Sequence, residues 1–421
     1  MSHKIKKIQA REILASNGKP TIKTVVELEN GLSAKASVPF GASAGAHEAF
    51  ILLDKDPKRY QGKGMLKACQ NVNEAIANKL KGLVVTNQQK IDEMMIKLDG
   101  TPNKKKLGGN SILSVSLAIA RAASLATKKP LYKYIREKYK IPYKDGSLPK
   151  PMMVVIEGGK HADDSTDFQE YLISVSGAGS VKEAIRWGEE IYYTLKEILK
   201  EKRLNTNVGN EGAFAPAGIE TNEIPLELIV SATKKAGYLP GKDIAISLDP
   251  AASEFYKPEE KRYFLKRESA SLSSDQMIGL YREWLSKYPI ISIEDGLAED
   301  DWEGWTSFCQ QFSQQIRIVG DDLTVTNIER VRKAIKLKAI NAVLIKLNQI
   351  GTLTETMKTI ELGRKHGFWQ IISHRGGGET NDTFMIDLAV AVNAEYVKVG
   401  PSRGERTAKY NRLLEIEEEL K

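Results

Sequence analysis

The chain is poor in cysteine: only Cys69 and Cys309 occur among 421 residues. They stand far apart and in no metal-ligand or redox spacing. Neither a disulfide framework nor a cysteine-ligated metal is expected, and a reducing cytoplasm is the expected compartment. Long apolar runs are also missing. The longest, SILSVSLAIA, meets Arg121 after ten residues, and MSHKIKKIQAREIL at the N-terminus holds no apolar h-region. A protein without a membrane span or a Sec signal is therefore expected. Basic charge is plentiful but not clustered. The net charge is +8, yet the one tight run, Lys104 to Lys106, has no interleaved aromatics. That argues against nucleic-acid binding and leaves the excess to steer a small anionic substrate.

The length exceeds that of one typical domain and fits a small domain followed by a β/α barrel. Residues 4–40 alternate as two or three antiparallel strands, with a turn in SNGKP. Gly109 to Lys128 carries an apolar face broad enough for a buried helix. Proline and glycine cluster in PYKDGSLPKP, so the reading is an α+β domain over residues 1–141 and an α/β barrel of (β/α)8 type over 142–421. In the second part strand-like runs alternate with helical stretches at Ser273–Tyr288, Asn327–Leu337, Thr352–His366 and Thr383–Val392. Such alternation predicts a parallel barrel. A doubly wound sheet is the alternative, which the polar strand ends disfavour.

Those strand ends carry the chemistry. AISLD ends at Asp249, IISIE at Glu294, RIVGD at Asp321 and AVLIK at Lys346, at spacings of 45, 27 and 25 residues. Any one acid after an apolar strand reads as a helix cap or turn former. The series reads differently, because the C-terminal strand ends of a barrel converge on one mouth. Three hard oxygen ligands there favour Mg²⁺ over zinc or iron. Further segments supply Glu211 (VGNEGAFAP), His161, Gln169 and Glu170 (GGKHADDSTDFQE), His374 and Arg375 (ISHRGGGET) and Lys398 (EYVKVG). Singly, His161 reads as a core histidine, Arg375 as a surface ion-pair partner and Gly376 to Gly378 as a turn. Together they supply an acid, a base and cationic clamps around a metal.

Over almost its whole length the chain resembles enolase. GASAGAHEAF, LGGNSILSVSLAIARA, GGKHAD, SLDPAASEFY, YPIISIEDGLAEDDWEGW, IVGDDLTVTN, LIKLNQIGTLTET, SHRGGGET and RTAKYNRLLEIEEEL are similar to enolase segments, in that family's order. The resemblance implies a lyase that dehydrates 2-phosphoglycerate to phosphoenolpyruvate. It assigns a first Mg²⁺ to Asp249, Glu294 and Asp321, and a second, substrate-dependent Mg²⁺ to the loop of Ser43. Lys346 is implied as the base at C2, with a lowered pKa. Glu211, assisted by Glu170, is implied as the acid at the C3 hydroxyl. His161, Gln169, His374, Arg375 and Lys398 are implied to hold the ends of the substrate, with Gly376 at the phosphate, and a homodimer or larger oligomer is implied.

The departures from the family pattern gather near the substrate. HRSGET reads HRGGGET, so Gly376 lacks a hydroxyl and one residue is inserted before Glu379; on this reading Gly376→Ser tightens 2-phosphoglycerate binding. GDEGGFAP reads GNEGAFAP, placing Asn210 beside Glu211, where loss of a like charge weakens the acid. PSGAST reads PFGASA, with Phe40 and Ala44 for hydroxyl residues, and PMMNVLNGG reads PMMVVIEGG, with Val154 and Glu157 for two amides. ASNGKPT and GPSRGER are expected to bear on subunit packing. Two enzymatic readings follow: an enolase, or a paralogue taking a related phosphate or phosphonate carboxylate. A non-catalytic binding protein, like a plasminogen receptor, is disfavoured by the retained Lys346 and Glu211.

Overall fold

The structure, a computed structural model, describes residues 3–41, 47–142 and 148–421. Strands β1 (Ile5–Leu14), β2 (Pro20–Leu28) and β3 (Ser33–Ser37) form an antiparallel sheet in the order β1-β2-β3. Leu14 pairs with Pro20 across the expected turn, where Gly18 takes a positive φ of 73°. Alternation sets one face inward: Ile22, Thr24, Val26 and Leu28 are all fully buried. The helix Gly109–Ala126 packs across β2 and β3, and Thr24 Oγ1 meets Ser114 Oγ at 2.7 Å. Among the described residues it is the one helix long and apolar enough to cross a bilayer, yet it lies almost wholly inside the protein. It is a core helix.

The second part is a closed eight-stranded barrel. Its strands are β4 (Lys150–Glu157), β5 (Glu170–Val175), β6 (Ile244–Asp249), β10 (Ile290–Glu294), β11 (Arg317–Gly320), β12 (Ala342–Ile345), β13 (Trp369–Ser373) and β14 (Tyr396–Val399). Outside it β7 (Tyr256–Lys257), β8 (Arg262–Leu265) and β9 (Ala270–Leu272) make a small separate sheet. Expected helices begin at their caps: Ser273, Asn327 and Thr352 each accept a hydrogen bond from a backbone N–H of the first turn. Val154 is fully buried in the barrel interior, in one cluster with Leu172, Leu344 and Ile371. An apolar side chain suits that layer, so this departure belongs to packing.

The barrel is not wholly parallel, which corrects the expectation. β5 runs antiparallel to both β4 and β6. Between β4 and β5 there is only one short helical turn, Gly159–His161, and without a crossover helix the chain returns in the opposite direction. The start of β5 therefore stands at the same mouth as the ends of its neighbours. Glu157 pairs in register with Glu170, and Glu170 with Asp249.

The two parts are tied by half-buried and buried polar contacts. Arg121, on the long core helix, donates to both oxygens of Asp382 at 2.7 and 2.8 Å. Asp382 also accepts the backbone N–H groups of Ser37 and Phe384, each at 2.9 Å. Asp92, fully buried, accepts from Thr354 N–H at 3.0 Å and Thr354 Oγ1 at 2.6 Å. Because removing one partner strands the others, Asp382→Ala is expected to cost about 2–3 kcal/mol in urea-induced unfolding. Asp382→Asn, which keeps the acceptor oxygen, is expected to cost less than half of that.

Candidate active site

At the mouth a cavity of about 350 Å³ is lined by His161, Gln169, Glu170, Glu211, Asp249, Asp321, Lys346, Arg375 and Gly376. Nine residues singled out in the sequence thus share one volume. Glu294, Lys398 and His374 lie just beneath it, each at most 3% exposed. Ser43 and Ala44 lie outside the described residues.

Lys398 is the hub of the floor. Its Nζ stands 2.9 Å from Glu170 and Asp249 and 2.7 Å from Glu294. Three strands thereby deliver carboxylates to one ammonium group. Burial alone would strip its proton, but these acids hold its pKa well above the usual lysine range. In this arrangement its three ion pairs occupy it; it does not line the cavity.

Lys346 projects from the end of β12 and forms an ion pair with Asp321. Burial would lower its pKa, yet Asp321 raises it above the ordinary lysine value. The expected lowering is therefore not produced by the side chains alone: Lys398 and Arg375 push in that direction and Asp321 outweighs them. Asp321 is fixed by Gln349, whose Nε2 donates to it at 2.7 Å. Asp295 braces the neighbouring strand end, accepting the N–H groups of Asp321 at 3.1 Å and Asp322 at 2.7 Å.

On the other side stands an acid cluster. His374 Nε2 lies 3.1 Å from Glu211 and its Nδ1 lies 2.9 Å from Glu379. Burial opposes a charged imidazole, but the two carboxylates lift His374 to about 9. Burial likewise would raise Glu211, but the His374 ring outweighs it and holds Glu211 well below the usual carboxylate range. Protons instead reside on its neighbours. Burial, then the Glu211 charge, pushes Glu170 up to about 8 and Glu157 to about 9. The acid expected of Glu211 itself is thus a carboxylate here, and the neighbouring Asn210 donates its Nδ2 to the Lys160 carbonyl at 3.4 Å. His161 Nδ1 lies among the three glutamates, 3.7, 3.6 and 3.8 Å from Glu157, Glu170 and Glu211.

The three glycines are a docking segment rather than a mere turn. A Cβ on Gly376 would stand 1.5 Å from Glu211 Oε1, and one on Gly378 would stand 2.0 Å from the Phe40 carbonyl oxygen. Phe40 N–H donates to the Gly378 carbonyl at 2.7 Å. The ASNGKPT turn also reaches this segment: Ser16 N–H donates to the Glu379 carbonyl at 2.8 Å, and Asn17 Nδ2 donates to the Gly377 carbonyl. That turn therefore seats the site within one chain. Arg375 is paired with Glu48, donating from one Nη to both oxygens at 2.9 and 3.0 Å.

Hard oxygen donors abound for a metal. Asp249, Glu294 and Asp321 end three adjacent strands, and oxygen atoms of Asp295, Asp321 and Asp322 lie within 4.8 Å of one another. Carboxylates at the mouth outnumber the fixed cations Lys346, Lys398 and Arg375, so the donor set fits a hard divalent cation. Sequence reasoning misses Asp295 and Asp322, although each adjoins an acid that it marks. It has no signal for Glu48, Gln349 or Glu379, which arrive from other elements.

Fold and site together define a metal-binding barrel enzyme built for acid–base chemistry. Residues 5–135 match the family model for the enolase N-terminal domain, and residues 145–421 that for the enolase C-terminal TIM barrel domain. The chain belongs to the enolase family, and its class is that of the metal-dependent lyases of the enolase superfamily.

The charge state of His374 sets a pH dependence. Its folded pKa, about 9, exceeds the unperturbed 6.5, so its stabilisation is complete below about 6.5 and is lost as pH rises through about 9. Stability of the metal-free protein in urea is expected to fall from pH 6.5 to 9.5, and His374→Gln to make that slope shallower.

Proposed function

We propose that the protein is a Mg²⁺-dependent enolase that dehydrates 2-phosphoglycerate to phosphoenolpyruvate. The observation that carries this reading is Lys346, Glu170 and Glu211 lining one carboxylate-rich cavity, with His374 beneath it against Glu211. Abstraction of a proton beside a carboxylate builds a second negative charge there. Asp249, Glu294 and Asp321 would hold Mg²⁺, with a second ion at the Ser43 loop, and the bound metal would supply the positive charge that this needs.

Lys346 takes the C2 proton as the neutral amine, a state that Lys398 and Arg375 favour and the Asp321 pair opposes. The proton for the C3 hydroxyl comes from the acid cluster. Glu170 carries one at neutral pH, and His374 Nε2 lies where it passes one to Glu211. Arg375, His161 and Gln169 serve the anionic ends, once Arg375 leaves Glu48. Free, buried Cys69 and Cys309 support a reducing, cytoplasmic setting, and the proposal includes a homodimer.

Gly376 favours a second reading, a paralogue for a related phosphate or phosphonate carboxylate. Glu211 occupies the space in which a side chain at 376 would stand, which reshapes that end of the cavity.

Purified protein with 2-phosphoglycerate is expected to show Mg²⁺-dependent growth of the ultraviolet absorbance of the enol product. Asp249→Ala is expected to abolish both that turnover and the rise in Tm that Mg²⁺ produces by mass action. Turnover by Asp249→Ala at the parent rate would remove the reading. The geometry supports a different expectation for Gly376→Ser. The new side chain must displace Glu211, so kcat for 2-phosphoglycerate is expected to fall about a hundredfold, with no gain in binding in steady-state kinetics.

A further inference from the structure

Glu157 has no exposed surface and does not line the cavity, so it touches no ligand. Both of its carboxyl oxygens face one donor, the backbone N–H of Glu211, at 3.0 and 3.2 Å. The loop above it fits only because Gly209 is bare: a Cβ there would stand 2.5 Å from Glu157 Cδ. The far end of the loop is stitched to the same strand. Glu157 N–H donates to the Phe214 carbonyl at 2.9 Å, and Phe214 N–H to the Val155 carbonyl at 3.0 Å.

From that anchored backbone the Glu211 side chain extends into the space left by Gly376 and meets His374 Nε2 at 3.1 Å. Two departures in this chain are thus complementary across one residue. Glu157 grips its main chain from below, and Gly376 makes room for its carboxyl above.

We propose that Glu157 is a positioning residue that sets where Glu211 stands, and through it the delivery of a proton to the leaving hydroxyl. The inference rests on the reading that Glu211 serves that hydroxyl while Lys346 serves C2. Loss of Glu157 then separates the two halves of the reaction. The elimination weakens, while exchange of the C2 proton with solvent, which needs Lys346 and the metal but not Glu211, persists. A role confined to stability would lower both together.

The test compares Glu157→Ala and Glu157→Gln with the parent protein, using 2-phosphoglycerate and Mg²⁺ in deuterated water. For Glu157→Ala, phosphoenolpyruvate formation is expected to fall about ten- to a hundredfold, with C2 exchange within about twofold of the parent. Glu157→Gln retains one acceptor for the Glu211 N–H and is expected to recover most of the loss. Equal loss of both steps in Glu157→Ala, or no loss of either, overturns the proposal. A crystal structure of Glu157→Ala tests the placement without any substrate. Glu211 is expected to leave His374 Nε2, and Glu211 found in its parent position overturns the proposal. Failure of the parent protein to exchange or dehydrate 2-phosphoglycerate would instead remove the substrate reading, and the crystal structure would still decide the role of Glu157.

Discussion

Everything at the mouth follows from burying carboxylates faster than cations. Glu170, Asp249 and Glu294 meet on Lys398, while Asp321 meets Lys346. An isolated buried charge is expensive, so each acid must find an ammonium, a proton or a metal. Lys398, 1% exposed, fills that role for the floor. The acids of the mouth divide in two ways. Those facing the strand ends of β6, β10 and β11 suit a divalent cation. Around His161, Glu157 and Glu170 hold protons while Glu211 stays a carboxylate.

That division is what makes acid–base chemistry possible in so small a volume. Glu211 is kept as a carboxylate by the His374 ring, and burial together with its charge keeps Glu170 and Glu157 protonated. Glu379 completes the chain behind His374, itself paired with Arg406 at 3.0 Å and Lys409 at 2.7 Å. A histidine between two glutamates is thereby held charged well above its ordinary range. The cluster behaves as one proton-sharing unit, in which changing one member redistributes the others.

The departures from the family pattern acquire separate meanings in this light. Val154 fills the barrel interior. Gly378 admits the Phe40 main chain, and Ser16 and Asn17 seat the same glycine segment. Glu157 and Gly376 act on opposite sides of Glu211. Asn210 donates its side-chain amide to the Lys160 carbonyl. Glu157, 54 residues from Glu211 in sequence, is its direct partner.

What the sequence determined alone was periodic or local. Alternation in β1 and β2, the capped helices after Ser273, Asn327 and Thr352, and the acids closing β6, β10 and β11 are legible because period and capping act over a few residues. The resemblance to enolase segments likewise rests on local strings. Tertiary structure alone decided the reversed direction of β5, which brings Glu157, Glu170 and Asp249 abreast. It also decided the pairing of Arg375 with Glu48, Asp321 with Gln349 and His374 with Glu379. Charge states were equally beyond the sequence. Whether a glutamate is an acid or a carboxylate depends on burial and on the charges around it, and both exist only once distant strands have closed the barrel.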